Sequence, residues 1–120
     1  MNFITWQRCD DPTKLDMSCL QANIGFCTYS TLVELFGEPK FIDSPEDKVD
    51  CEWHICVTDS ENHETHYVSI YNWKDGYNYC GGEGKPCHQI TQWNIGGHTY
   101  GGASIIEQIV VGKVMAEVSQ

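Results

Sequence analysis

At 120 residues the chain is read as a single domain over 1–120, long enough for one core and too short for two. Seventeen acidic residues against seven basic ones give a formal charge of -10, which disfavours direct nucleic-acid binding through phosphate neutralisation. No apolar run approaches the roughly 18 to 20 residues that span a bilayer, and the opening MNFITWQRCDDPTKLD has no secretory apolar core. The expectation is a soluble cytoplasmic protein without membrane contact.

In chain order, Phe3 to Trp6 suits an edge strand, and the polar, Pro12-containing stretch after it suits a turn. A second short strand is expected over Leu20 to Cys27. From Thr28, a residue able to cap a helix, Tyr29, Leu32, Val33 and Phe36 recur at helical spacing, and Gly37 with Pro39 ends the run. That helix is core. Lys40 to Ile42 suggests a short strand, and a loop follows over 43–47.

Val49 to Trp73 reads as one long β-hairpin. Its first arm alternates Val49, Cys51, Trp53, Ile55 and Val57 with polar residues, the pattern of a strand buried on one face. Its second arm, His66 to Trp73, is rich in aromatic and β-branched residues, and Asp59 to Asn62 supplies the turn. Next comes an aperiodic stretch, Lys74 to His88, with four glycines and a proline; ordered loops of this length tend to carry function. A strand over Ile90 to Ile95 runs into Gly96-Gly97-His98. Thr99 to Gly102 leads into a last helix, striped by Ile105, Ile106, Ile109, Val110, Val114 and Val118. The predicted fold is α+β: a two-layer domain in which an antiparallel β-meander, centred on the long hairpin, carries two helices on one face.

Seven cysteines without a secretory signal are expected to be reduced thiols. Zinc would have to draw on Cys80, Cys87, His88 and His98, without the usual C-x₂-C or H-x₃-H pairs, and no metal or other cofactor is expected. His63-Glu64-Thr65 is half of a two-histidine phosphodiesterase signature whose second half is missing, and no G-x-S-x-G elbow occurs. No catalytic residue is assigned.

Binding features are better represented. Trp53, Tyr71, Trp73 and Trp93, with Tyr77 and Tyr79, offer rings to stack a base, although core packing accounts for them equally well and Trp53 is expected to be core. Gly96 and Gly97, at a strand end before a helix, would present free N–H groups to an anion, although a tight turn needs glycines too. Lys74 adds a cation beside Tyr71 and Trp73. The expected ligand-binding set is therefore Tyr71, Trp73, Lys74, Trp93, Gly96, Gly97 and His98.

Four motifs in order, Tyr29-x-x-Leu32-Val33-x-x-Phe36-Gly37-x-Pro39, Asp47-Lys48-Val49-Asp50-x-Glu52-Trp53, Ile70-Tyr71-Asn72-Trp73-Lys74 and Trp93-Asn94-Ile95-Gly96-Gly97-His98, resemble small accessory proteins of phages and other large DNA viruses. The resemblance covers Thr28 to Ile106; the cysteines and the 77–88 stretch depart from it. It implies a host-takeover or anti-defence role in the host cytoplasm. Combined with the residues above, the leading expectation is a non-catalytic protein that sequesters a small anionic ligand such as a nucleotide immune signal, or binds a host protein. The alternatives are an acidic inhibitor or DNA mimic of a host defence protein, and a small hydrolase using His98 and a cysteine. Homo-oligomerisation is left open.

Overall fold

The computed structural model describes residues 3–9, 11–45 and 47–118. An antiparallel sheet in the order β1-β4-β5-β6-β2 is built from β1 (Ile4–Arg8), β2 (Cys19–Ile24), β4 (Cys51–Asp59), β5 (Glu64–Tyr71) and β6 (Trp93–Gly97). The two-residue β3 (Lys40–Phe41) pairs with the start of β4, beyond the end of β1. Helices α1 (Tyr29–Phe36) and α3 (Tyr100–Val118) complete the α+β fold, with a single helical turn, α2 (Tyr77–Cys80), in the β5–β6 connection. The long hairpin is β4–β5, and β5 is the central strand. Among the described residues no helix is long and apolar enough to cross a membrane.

The alternation in β4 decides the two faces. Cys51, Trp53, Ile55 and Val57 are buried with Val68 and Ile70 of β5, Trp93 and Ile95 of β6, and Leu32, Phe36, Ala103, Ile106 and Val110 of the helices. Two tryptophans anchor this core: their rings meet edge-on at 5.3 Å, and each indole N–H is satisfied, Trp53 donating to the Gly37 carbonyl and Trp93 to the Cys27 carbonyl, both at 2.8 Å. Thr28 caps α1 as its sequence suggests, accepting from the Thr31 amide.

Several expected boundaries move. The second hairpin arm runs Glu64–Tyr71, so Trp73 lies beyond the strand. The strand expected over Ile90 to Ile95 is Trp93–Gly97, because the chain closes a 3₁₀ turn before Ile90 and the two glycines stay in the ladder. The last helix begins at Tyr100, ahead of Gly101-Gly102: a Cβ at Gly102 would come 2.6 Å from the His66 Cβ, so this glycine allows the helix to cross β5 closely. Val118, expected in the apolar stripe, is exposed.

Much of the loop after β5 is held by side-chain amides. The buried Asn72 side chain accepts from the Asp50 and Cys51 amides and donates to the Asp50 and Asp75 carboxylates. The other Asp50 oxygen accepts from the Asn78 amide, and the Asn78 side chain donates to the Ile42 and Val49 carbonyls. Gly76 lies against that carboxylate, where a Cβ would fall 2.1 Å from Asp50 Oδ1. Motif residues Asp50 and Asn72 are therefore spent on architecture.

Candidate functional site

The helix-free face of the sheet carries the site. Register aligns Glu52, Tyr71, Asn94 and Asn23 in one row across β4, β5, β6 and β2, and His54, Ser69, Gly96 and Leu20 in the next. Over these rows folds the β1–β2 connection, with its 3₁₀ turn Pro12–Leu15 held by His98, whose Nε2 donates to the Lys14 carbonyl at 3.0 Å. The result is a cleft of about 330 Å³, within the range of small-molecule sites. Its base is Ser69, Gly96 and Tyr71; Leu15, Ser18 and Cys19 form one wall, Val49 and Trp73 the other.

Gly96 gives the cleft its depth, since a Cβ there would stand 2.8 Å from Ser69 Oγ and 3.3 Å from the Tyr71 ring. Glu52 and His54, two apart on β4, both face the cleft, and His54 Nε2 lies 3.5 Å from Glu52 Oε1. Burial raises the Tyr71 phenol above its usual range, opposed by the hydrogen-bonding Asn94 side chain beside it, so Tyr71 enters as a neutral O–H. Trp73 is 46% exposed and meets Tyr71 edge-on at 6.1 Å.

Cations are unevenly placed. Lys48 and Lys74 hold their ammonium groups 5.8 and 5.9 Å from the Trp73 ring centre, and Lys14 lies 5.3 Å over Tyr67, the open-face residue of β5 that precedes Ser69. Three of the seven basic residues thus border one face of an acidic chain. Lys74 also lies over Tyr79 at 5.5 Å and has a positive φ, 61°.

The structure brings Tyr71, Trp73 and Gly96 together in the cleft; Lys74 is not a lining residue and reaches the rings of Trp73 and Tyr79. Trp93 is corrected to the core: it is 1% exposed, has the same strand phase as Ile95, and only borders a smaller polar recess of about 240 Å³ on the far side of Trp73. Trp53 is core as expected, pairing with Ile70 and facing the helices. Gly96 and Gly97 are not free donors at a helix terminus: both sit inside β6, paired with β5 on one side and β2 on the other. Gly97 faces the core, and His98 braces the cleft wall from outside. Glu52, His54 and Ser69 were missed by sequence reasoning. Their signal was the polar half of the hairpin alternation, which reads as solvent-facing until a covering segment is placed over it.

Cys80, Cys87, His88 and His98 do not assemble. Cys80 donates to the Lys74 carbonyl, Cys87 packs on the core beside Cys51, and His98 is at the cleft wall. Among the described residues no group of three or more His, Cys, Asp or Glu side chains is placed to hold a metal, and all seven cysteines are free thiols.

Fold and site together define a two-layer α+β domain with a small-molecule-sized cleft on its uncovered sheet face. No protein-family model, curated protein or solved structure matches the chain.

Proposed function

We propose that the open-face cleft binds a small anionic ligand with a planar portion and that the domain sequesters it. The observation that carries this reading is that Lys48 and Lys74 lie over the ring of Trp73, a lining residue of the cleft, and Lys14 over the neighbouring Tyr67, in a chain of net charge -10. A planar group would lie against Tyr71 and Trp73, where aromatic stacking contributes about 1 to 3 kcal/mol per base. The negative group would meet the lysine ammoniums at the rim, and Ser69 and the neutral Tyr71 hydroxyl supply donors at the base. A nucleotide has both parts. The role in a host cell, removal of a nucleotide immune signal by a viral accessory protein, rests on the four-motif resemblance.

The test is calorimetry against cyclic and linear nucleotides, followed by mass spectrometry of the recovered ligand. At least one class should bind, lose roughly tenfold or more in affinity with Trp73→Ala, weaken with Lys48→Glu and Lys74→Glu, and be recovered intact. Failure of every nucleotide, with retention of a basic host protein instead, would replace this reading with the acidic-inhibitor alternative. A ligand recovered cleaved would replace it with a hydrolase built on Ser69, His54 and Glu52.

A further inference from the structure

The two margins of the sheet are built differently. On the β4 side the margin is divided between β1 and the two-residue β3, and short edge pieces are a common protection against strand addition. On the other side lies β2, six residues paired with β6 along one edge, and among the described residues no strand pairs with its outer edge. Its bulge between Leu20 and Ala22 is satisfied inward, the Gln21 side-chain amide donating to the Gly97 carbonyl at 3.0 Å. Apart from that bulge, the usual protections of an edge, a lysine, a proline or an inward charge, are absent from this strand.

Charge singles out the same margin. One residue in five of the chain is charged, yet none is from Met17 to Val33. Within that interval three large apolar side chains are open to water: Met17 at 97%, Phe26 at 86% and Leu20 at 54%. Met17 and Phe26 stand at the two ends of β2, each at a positive φ, 64° and 56°, which bulky residues rarely adopt.

From these observations we infer that β2 is a self-association edge, on which a second copy of this chain adds its own β2 antiparallel. A second copy is the partner that fits. A chain of net charge -10 repels its own copy over most of its surface, and this uncharged strip is where that repulsion is least. A basic partner would find nothing here to attract it. In an antiparallel pairing about a two-fold axis, the Met17 end of each strand lies toward the Phe26 end of the other, so both exposed apolar groups are covered at once. A continuous antiparallel sheet requires that axis to be perpendicular to it. Both helical layers then lie on one side and both clefts on the other, with the Cys19 walls of the two clefts nearest the axis.

Six residues extend about 20 Å, so the interface belongs to the small class and forms reversibly with concentration. Sedimentation velocity from about 1 µM to 1 mM should show the 13.6 kDa chain passing to a species of twice that mass. Met17→Gly with Phe26→Gly is the informative variant, because glycine accepts both positive-φ positions and removes the apolar groups without harming the fold. It should raise the dissociation constant at least tenfold, as should Leu20→Lys, while Phe41→Ser on β3 leaves it unchanged. Hydrogen exchange of amides in Cys19–Ile24 should slow as concentration rises. A chain that stays monomeric to 1 mM, or a dimer unaffected by both β2 variants, overturns the assignment.

Discussion

The two faces of this sheet use the same strands for opposite purposes. On the helix side, β4 contributes Cys51, Trp53, Ile55 and Val57, all buried, and the indole N–H groups of Trp53 and of Trp93 on β6 are hydrogen-bonded to backbone. On the open side the intervening residues Glu52 and His54 line a cleft that the folded-over connection helps to enclose, with Ser69 and Tyr71 opposite them. The adjacent pair Gly96-Gly97 divides in the same way, the first setting the depth of the cleft and the second facing the core. An aromatic or a glycine next in sequence to a site residue can therefore have no part in the site, since strand phase, and not proximity along the chain, decides which face it serves.

The largest effect expected from breaking this division is on the helix side. Trp53→Ala should cost about 3 to 5 kcal/mol, because it empties the centre of the core and leaves the Gly37 carbonyl without its donor; denaturant unfolding measures it. Asn72→Ala should cost about 2 to 3 kcal/mol in the same experiment, through the buried Asp50 and Cys51 amides it leaves unpaired, with ligand affinity nearly intact in the folded fraction. A comparable loss of affinity would mean that the Asp50–Asn72 corner supports the cleft more directly than its position implies.

The glycine pair sharpens the comparison. Gly97→Ala places a Cβ 3.2 Å from the Tyr67 carbonyl, a backbone atom with little room to move, and should lower stability by about 1 to 3 kcal/mol. Gly96→Ala meets the Ser69 hydroxyl, which can rotate away, so it should leave stability within about 1 kcal/mol while filling the base of the cleft and weakening ligand binding at least tenfold. Thermal unfolding and calorimetry on the two variants should give opposite rankings.

The smallest effect is a pH dependence that arises on the helix side. Burial pushes the Cys27 thiol up to about 11, with the Glu117 carboxylate adding to the rise. Between the ordinary thiol value and about 11 the folded chain holds a proton that the unfolded chain has released, so stability is complete below about pH 9 and falls as pH rises through that window. The thermal midpoint should decline from pH 8 to 10, and Cys27→Ala should flatten that part of the decline.

What the sequence conveyed about the fold was its periodicity. The alternation from Cys51 to Val57 and the spacing of Leu32 and Phe36 specified strand, helix and buried face, because a half-buried element must repeat its apolar residues at its own period. The site was legible only in part. Tyr71 and Trp73 were expected at a ligand surface as aromatic rings, and Gly96 for free amides that its place inside β6 denies it, whereas the cleft positions of His54, Glu52 and Ser69 needed the knowledge that residues 11–19 fold back over the open face. That covering contact is long-range and, among the described residues, includes the hydrogen bond from His98 to the Lys14 carbonyl and the approach of Lys14 to Tyr67, neither of which leaves a periodic trace. Asp50, Asn72 and Asn78 misdirect in the opposite sense: they are polar and in motif-like surroundings, yet they are engaged with one another and with backbone.

The proposed function places a small anionic ligand in the open-face cleft. It is tested most directly by recording amide chemical shifts of ¹⁵N-labelled protein as nucleotides are added one at a time. The predicted result is a concentration-dependent shift confined to Glu52, His54, Ser69, Tyr71, Trp73, Gly96 and the covering residues Leu15 to Cys19, with Trp93 and the α3 core residues still. Shifts centred elsewhere, or none with any nucleotide at millimolar concentration, would contradict it.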